Sequence, residues 1–180
     1  PEVAGGIERL VFMGGAAGPG NVTAVAEHNV FHDPEAAAIT LAAARDLDIP
    51  VTMYGLEVFG QVLVDREQAA RLRSHLDPAC QLAGALIDAR CTLLDVDAIT
   101  IGDAGTVCAV ADPDGLTTHR HPVRVDTGFG YSRGQTIVDR RESPVDRVRL
   151  PGFLAPTEVD VAEHVDARGY ADLWLRTLLG

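Results

Sequence analysis

The chain has 180 residues, which lies within the usual span of one domain and is long enough to bury a core. Hydrophobic residues make up 47% of it, yet no uninterrupted apolar stretch reaches the roughly 18 residues that a membrane-spanning helix needs, so a membrane protein is not expected. The formal net charge is −11 and all 15 basic residues are arginine; so acidic a chain repels nucleic acid, and a neutral or metal-bridged small ligand suits it better.

Pro1 to Gly6 carries neither a basic nor an apolar leader, which reads as a cytoplasmic protein, and the missing initiator methionine reads as processing, trimming or a fragment. Ile7 to Met13 is a short apolar run stopping at Gly14-Gly15, the pattern of a buried parallel strand emptying into a glycine loop. Gly14 to Asn29 is too rich in glycine and polar residues for regular structure. Asp33-Pro34-Glu35 then opens an alanine-rich helix to Arg45, with an N-cap acid, a proline at the first helical position and an acid in the first turn. Beyond Pro50, Val51 to Val58 returns as a strand, which completes a strand, helix, strand unit and predicts a mostly parallel sheet.

A second helix is predicted from Asp65 to about Leu76, with Ala69, Leu72 and Leu76 on its inner face, and a more apolar and more deeply buried one from Gln81 to Leu94. A short helix starts at Asp103, and Asp112-Pro113-Asp114-Gly115 turns the chain. Val123 to Asp126, Gln135 to Arg140, Val145 to Leu150 and Val159 to Val165 are short, alternating and β-branched, and predict mixed or antiparallel strands beside the parallel ones. Asp166 caps a last amphipathic helix to Leu179 that buries Tyr170, Leu173, Trp174 and Leu178. Cys80, Cys91 and Cys108 are odd in number, far apart and set among apolar residues, so they read as buried reduced thiols. One domain over residues 1–180 is the expected organisation.

Chemistry concentrates between the first strand and the first helix: Met13-Gly14-Gly15, then Gly20-Asn21-Val22-Thr23, Ala26-Glu27-His28-Asn29 and Asp33-Pro34-Glu35-Ala36-Ala37. A strand end followed by a glycine loop holding two Asn and one Glu is where an open α/β sheet places its ligand crevice. Amides and a carboxylate suit a polyol, whose hydroxyls both donate and accept. Asn21 also reads as a turn residue, and Glu27, His28 and Asn29 as a solvated loop. Asp33 and Glu35 are not read as a catalytic carboxylate pair, because helix capping and the helix dipole account for both.

These motifs resemble those of the inosine-uridine preferring nucleoside hydrolases. Further matches lie at Tyr54-Gly55-Leu56-Glu57-Val58, at Asp112-Pro113 with Thr117-Thr118, and at Arg133-Gly134-Gln135-Thr136 with Val138-Asp139-Arg140-Arg141, in family order across nearly the whole chain. The resemblance implies an open α/β sheet of parallel strands with added antiparallel strands, flanked by helices, as the carboxy-terminal portion of the family domain. It implies hydrolysis of a nucleoside to ribose and free base, with Asn21 and Glu27 at the ribose 5′-hydroxyl, Asn29 at the 2′- or 3′-hydroxyl, Met13 lining the sugar pocket and His28 at a stacking position. It also implies calcium, with Asp103 as one ligand, although Asp103 equally fits an ordinary helix N-cap.

Two departures qualify this picture. Where the family carries His-Asp-Pro, this chain reads Gly102-Asp103-Ala104, so the residue that helps protonate the leaving base is absent at that position. The family's D-x-D-x-x-x-D-D motif, which supplies most calcium ligands and the base that activates water, has no counterpart in these residues; Asp95-x-Asp97 lacks the downstream acid pair. The sequence therefore leaves three roles open: a nucleoside hydrolase portion, a non-catalytic ribose or nucleoside binder, or a subunit that homo-oligomerises or takes a partner chain along the edge of Ile7 to Met13. His119 and His121 flank Arg120 in a spacing that metal sites sometimes use but solvated turns use more, and Arg133, Arg140 and Arg141 suggest intramolecular ion pairs or an oligomer contact.

Overall fold

The structure, a computed structural model, describes residues 4–142 and 155–180. Along the chain run β1 (Leu10–Met13), α1 (His28–His32), α2 (Pro34–Asp46), β2 (Val51–Tyr54), α3 (Leu56–Phe59), β3 (Leu63–Asp65), α4 (Arg66–Arg73), α5 (Pro78–Leu94) and β4 (Ala98–Thr100). They are followed by α6 (Asp103–Ala111), β5 (Leu116–Val125), β6 (Thr136–Val138), β7 (Thr157–Val165) and α7 (Ala167–Leu179). The strand expected at Val145 to Leu150 lies outside the described residues. Packing sorts the chain into two compact units that are interleaved in sequence, one from the described parts of 1–57 and 117–164, the other from 58–116 and 165–180.

The first unit is an open α/β sheet in the order β1-β2-β7-β5-β6. β1 runs parallel to β2, with Leu10 opposite Val51 and Met13 opposite Tyr54, and β2 runs parallel to β7. β5 and β6 are antiparallel, with Val123 opposite Val138. This is the anticipated parallel sheet with antiparallel strands added. The crossover between β1 and β2 is α2, which starts where the sequence said: Asp33 Oδ1 accepts from the Ala36 N–H at 2.9 Å, and Pro34 occupies the first helical turn. Leu41 and Ala44 of α2 pack on Val51, Met53, Val123, Val159 and Val161 to form the core.

Two strand boundaries differ from expectation. β1 begins only at Leu10, and Ile7 is exposed. β2 stops at Tyr54 because the backbone turns at Gly55: the Leu56 N–H donates to the Gly15 carbonyl at 3.0 Å, and Leu56–Phe59 coils into α3.

The second unit contains a small antiparallel sheet of β3 and β4, with Val64 opposite Ile99, which three-residue strands without a readable alternation had hidden. Asp65 and Gln68 form a reciprocal capping box at the start of α4. That helix ends at Arg73, so Leu76, anticipated on its inner face, is 94% exposed. Asp77 caps α5 three residues earlier than expected. α5 buries Cys80, Gly84, Ile87 and Cys91 but exposes Leu82, Leu86 and Leu93, which corrects the expectation of a deeply buried helix. Its close contact with α4 depends on Gly84, where a Cβ would sit 2.5 Å from the Ala69 carbonyl oxygen. In α7, Tyr170, Ala171 and Leu175 are buried, while Leu173, Trp174 and Leu178 are only partly so. All three cysteines are free and buried, as anticipated. Among the described residues no helix is long and apolar enough to cross a membrane.

Candidate functional site

β1 ends at Met13, and the turn that follows has every backbone donor engaged. Gly14 N–H reaches the Tyr54 carbonyl at 3.3 Å. Gly15 N–H donates to Glu27 Oε2 at 3.0 Å, Ala16 N–H to Thr136 Oγ1 at 2.8 Å, and the Ala17 and Gly18 N–H groups to Glu57 Oε1 at 2.8 and 2.9 Å. Gly15 has φ +76°, and a Cβ there would lie 2.8 Å from Met53 Sδ and 2.9 Å from Thr136 Cγ2, so only glycine fits.

Glu27 is 2% exposed. A buried carboxylate is tolerable only when its charge is met by donors, and here three backbone N–H groups meet it: Asn29 on Oε1 at 2.9 Å, and Gly15 and Val30 on Oε2 at 3.0 and 3.2 Å. Two of those donors belong to the first turn of α1, for which Glu27 is the N-cap. Five residues without apolar periodicity gave no sequence signal for this helix. Its presence turns the expected loop into a hydrogen-bonded bracket at the end of β1.

The remaining anticipated residues join the same network. Asn21 Oδ1 accepts from the His28 N–H at 2.9 Å, and Asn29 Nδ2 donates to the Met13 carbonyl at 3.3 Å and contacts Met13 Sδ at 3.1 Å. Met13, Asn21, Glu27, His28 and Asn29 are thus brought together. The side chains of Asn21, His28 and Asn29 face solvent, and the His28 ring lies 4.3 Å from that of His32. A pocket of about 290 Å³ opens beside them, walled by Leu10, Phe12, Met13, Asn29, Asp33 and Thr136 among others. Met13 and Asn29 line it, whereas Asn21, Glu27 and His28 stand outside its wall.

Thr136 and Glu57 were not singled out as site residues, although both fall within quoted motifs. Sequence reasoning had no means of seeing that a hydroxyl and a carboxylate from distant segments would meet the same turn.

In the second unit, Asp103 is exposed at the first position of α6. The N-cap is Gly102 at φ +57°, without a side-chain cap bond, so Asp103 is not spent on capping. One carboxylate offers at most two oxygens, whereas calcium takes about 6 to 8. Among the described residues no group of three or more His, Cys, Asp or Glu could hold a metal ion, so they do not by themselves fit a calcium site. Asp95 sits at φ +53° as the C-cap of α5.

The other polar residues pair locally. His119 Nδ1 lies 2.9 Å and His121 Nε2 3.8 Å from the Glu163 carboxylate, which also meets Arg140 at 3.3 Å. Arg141 pairs with Asp139, whose carboxyl is held down to about 2, chiefly by that hydrogen bond. Arg133 binds Glu35 and lowers its pKa, chiefly through their side-chain hydrogen bonds. The intramolecular ion pairs anticipated for Arg133, Arg140 and Arg141 are therefore present.

Residues 1–172 match the profile of the inosine-uridine preferring nucleoside hydrolases. A curated pyrimidine-specific ribonucleoside hydrolase from Shewanella woodyi is 37% identical over 183 aligned positions, covering 99% of this chain and 54% of that protein. Among solved structures, a purine-preferring ribonucleoside hydrolase from Gardnerella vaginalis superposes with a TM-score of 0.78 at 29% identity, covering 100% of this chain and 54% of the other. An inosine-uridine preferring nucleoside hydrolase from Bacillus anthracis gives 0.71 at 26% identity, covering 99% and 53%. The chain spans about half the length of the curated relatives it matches. With a motif order, a sheet topology and a profile match that all agree, the chain belongs to the inosine-uridine preferring nucleoside hydrolase family.

Proposed function

We propose that this chain supplies the sugar-holding part of a nucleoside N-ribohydrolase, which converts nucleoside and water to ribose and free base. The observation that carries this reading is the hydrogen-bonded bracket of Asn21, Glu27, His28 and Asn29 at the end of β1, adjoining a pocket lined by Met13 and Asn29. Asn21 and Asn29 present exposed amides suited to ribose hydroxyls. A carboxylate has about four acceptor directions; Glu27 gives three to the backbone, so it first shapes the loop and has one left for a 5′-hydroxyl. His28 is exposed on α1, where stacking on sugar or base is sterically open. A relative described as pyrimidine-specific and another described as purine-preferring leave the base itself undetermined.

Calcium is the proposed metal, with Asp103 as one ligand and its other oxygens from outside the described residues. The cleavage step needs a positioned water and a base, and the bracket supplies neither; its work is to bind and orient the sugar. We further propose that residues 1–180 fold as one domain, since the chain leaves the first unit after Glu57 and returns to it at Thr117. A cytoplasmic setting suits three free cysteines. Homo-oligomerisation or a partner chain suits the exposed leucines of α5.

Calorimetric titration of ribose and inosine into the 180-residue chain, with and without calcium, tests the reading, alongside a reducing-sugar assay for ribose release from inosine and uridine. Heat of binding is expected. No heat at millimolar ligand would overturn the sugar site, binding without release would leave the chain as the sugar-holding part or a nucleoside binder, and release of ribose would show that the chain also carries the cleavage machinery.

A further inference from the structure

We propose that Thr136 is a positioning residue of this site: its hydroxyl, carried on β6, sets the turn after β1 and through it the placement of Met13 and Asn29. The proposal rests on the sugar-binding reading above. Thr136 is 3% exposed. Its Oγ1 accepts from the Ala16 N–H at 2.8 Å and donates to the Ala16 carbonyl at 2.7 Å, a pair of hydrogen bonds to one residue across 120 positions of sequence. Only a hydroxyl can donate and accept from one atom in this way. The methyl of the same side chain fills the space against Gly15, where a Cβ would come within 2.9 Å of it.

The bonds form a path from Thr136 to the ligand side of the turn. Gly15, next to Ala16, donates to the Glu27 carboxylate, which also accepts from the Asn29 N–H, and the Asn29 amide in turn holds the Met13 carbonyl. A shift of Ala16 therefore reaches Asn29 through one carboxylate. Thr136 also lines the pocket with Met13 and Asn29. Glu57 holds the next two amides, at Ala17 and Gly18, so the hydroxyl is the link that fixes the middle of the turn. Sites held this closely lose affinity when their supporting bonds are removed.

The test compares Thr136→Val, which keeps the shape and loses both bonds, with Thr136→Ser, which keeps the hydroxyl. Val159→Ala, a core truncation away from the turn, serves as a stability control. Amide hydrogen exchange by NMR and ribose affinity by calorimetry are measured on the intact chain. In T136V, exchange at Ala16 should accelerate at least about tenfold and ribose should bind about tenfold more weakly, with T136S within about twofold of the parent. V159A should lower the melting temperature without either effect. Unchanged exchange at Ala16 in T136V overturns the proposal, as does a V159A loss of affinity equal to that of T136V. If the parent chain binds no ribose, the sugar reading fails, and the exchange data alone still decide whether Thr136 sets the turn.

Discussion

Arg133 grips Glu35 through both guanidinium NH groups at 2.8 Å, tying the connection between β5 and β6 to the first turn of α2. The same guanidinium donates to the Thr127 carbonyl at 2.8 Å and lies 5.5 Å from the centre of the Phe129 ring. Bidentate geometry of this kind is what distinguishes arginine from lysine at such a joint. The Glu35 carboxyl is consequently held below its ordinary 4.5.

A pH dependence follows with a definite sign. A carboxyl with a lowered folded pKa adds stability that is fully present above its unfolded value and disappears as pH falls through the folded value. Urea unfolding across about pH 3 to 5 should therefore show a shallower acid loss in E35Q than in the parent. Identical acid limbs would show that Glu35 contributes nothing there.

Glu27→Ala removes the acceptor of three buried N–H groups at once and should destabilise the chain by about 2 to 4 kcal/mol. Glu27→Gln retains one acceptor oxygen but brings an NH₂ toward donors, so it should fall between Ala and the parent. Thermal unfolding gives the ranking. If E27A melts like the parent, the bracket is not held by this carboxylate.

Much of the bracket was legible in the sequence because its members lie within 17 residues of one another, from Met13 to Asn29, and local motifs carry local geometry. The βαβ unit was legible for a similar reason: Asp33-Pro34 is a strong helix start, and the apolar runs on either side have strand length. Thr136 and Glu57 were not, because bonds across 120 and 40 residues leave no trace in spacing. Leu76 was misplaced for a different reason. Its interval from Ala69 and Leu72 suits a helix face, but the capped helix ends at Arg73, where the Ser74 N–H closes the last turn. In α5, leucine count misled: Gly84, Cys80 and Cys91 face inward because the small Gly84 lets α4 approach, leaving Leu82, Leu86 and Leu93 outside.

Asp103 is exposed at the start of α6, so its removal should scarcely affect folding: D103N forgoes only a favourable dipole contact of about 0.3 to 1 kcal/mol. Its proposed role as a ligand predicts instead that any response of the parent to calcium, in melting temperature or ribose affinity, is lost in D103N. A D103N variant that responds to calcium like the parent removes Asp103 from the metal site.

Leu86 and Leu93 are 62% and 75% exposed on α5. Replacing both with Glu should leave the melting temperature near that of the monomeric fold, since neither side chain supports the core. If α5 carries an oligomer contact, light scattering should show the double variant smaller than the parent at high concentration. A parent that is already a clean monomer would dismiss the contact.

Gly134 offers the sharpest test of the packing behind the bracket. It has φ +80°, and a Cβ there would lie 2.7 Å from the Phe31 Cα, a backbone atom that cannot swing aside. Gly134→Ala therefore meets both a left-handed backbone and a clash with α1, and about 1 to 3 kcal/mol of destabilisation is expected. Because Glu27 is the N-cap of α1, any relief of the clash moves the helix whose first turn the carboxylate caps, and sugar affinity should fall together with stability. Gly60 provides the contrast, with ordinary φ and nothing within 4 Å of an added Cβ. G60A should be neutral or slightly stabilising, by up to about 1 kcal/mol through the unfolded chain. Calorimetric melting of the two variants separates the effects, and a G134A chain as stable as G60A would mean that α1 yields freely and does not hold the sugar loop rigid.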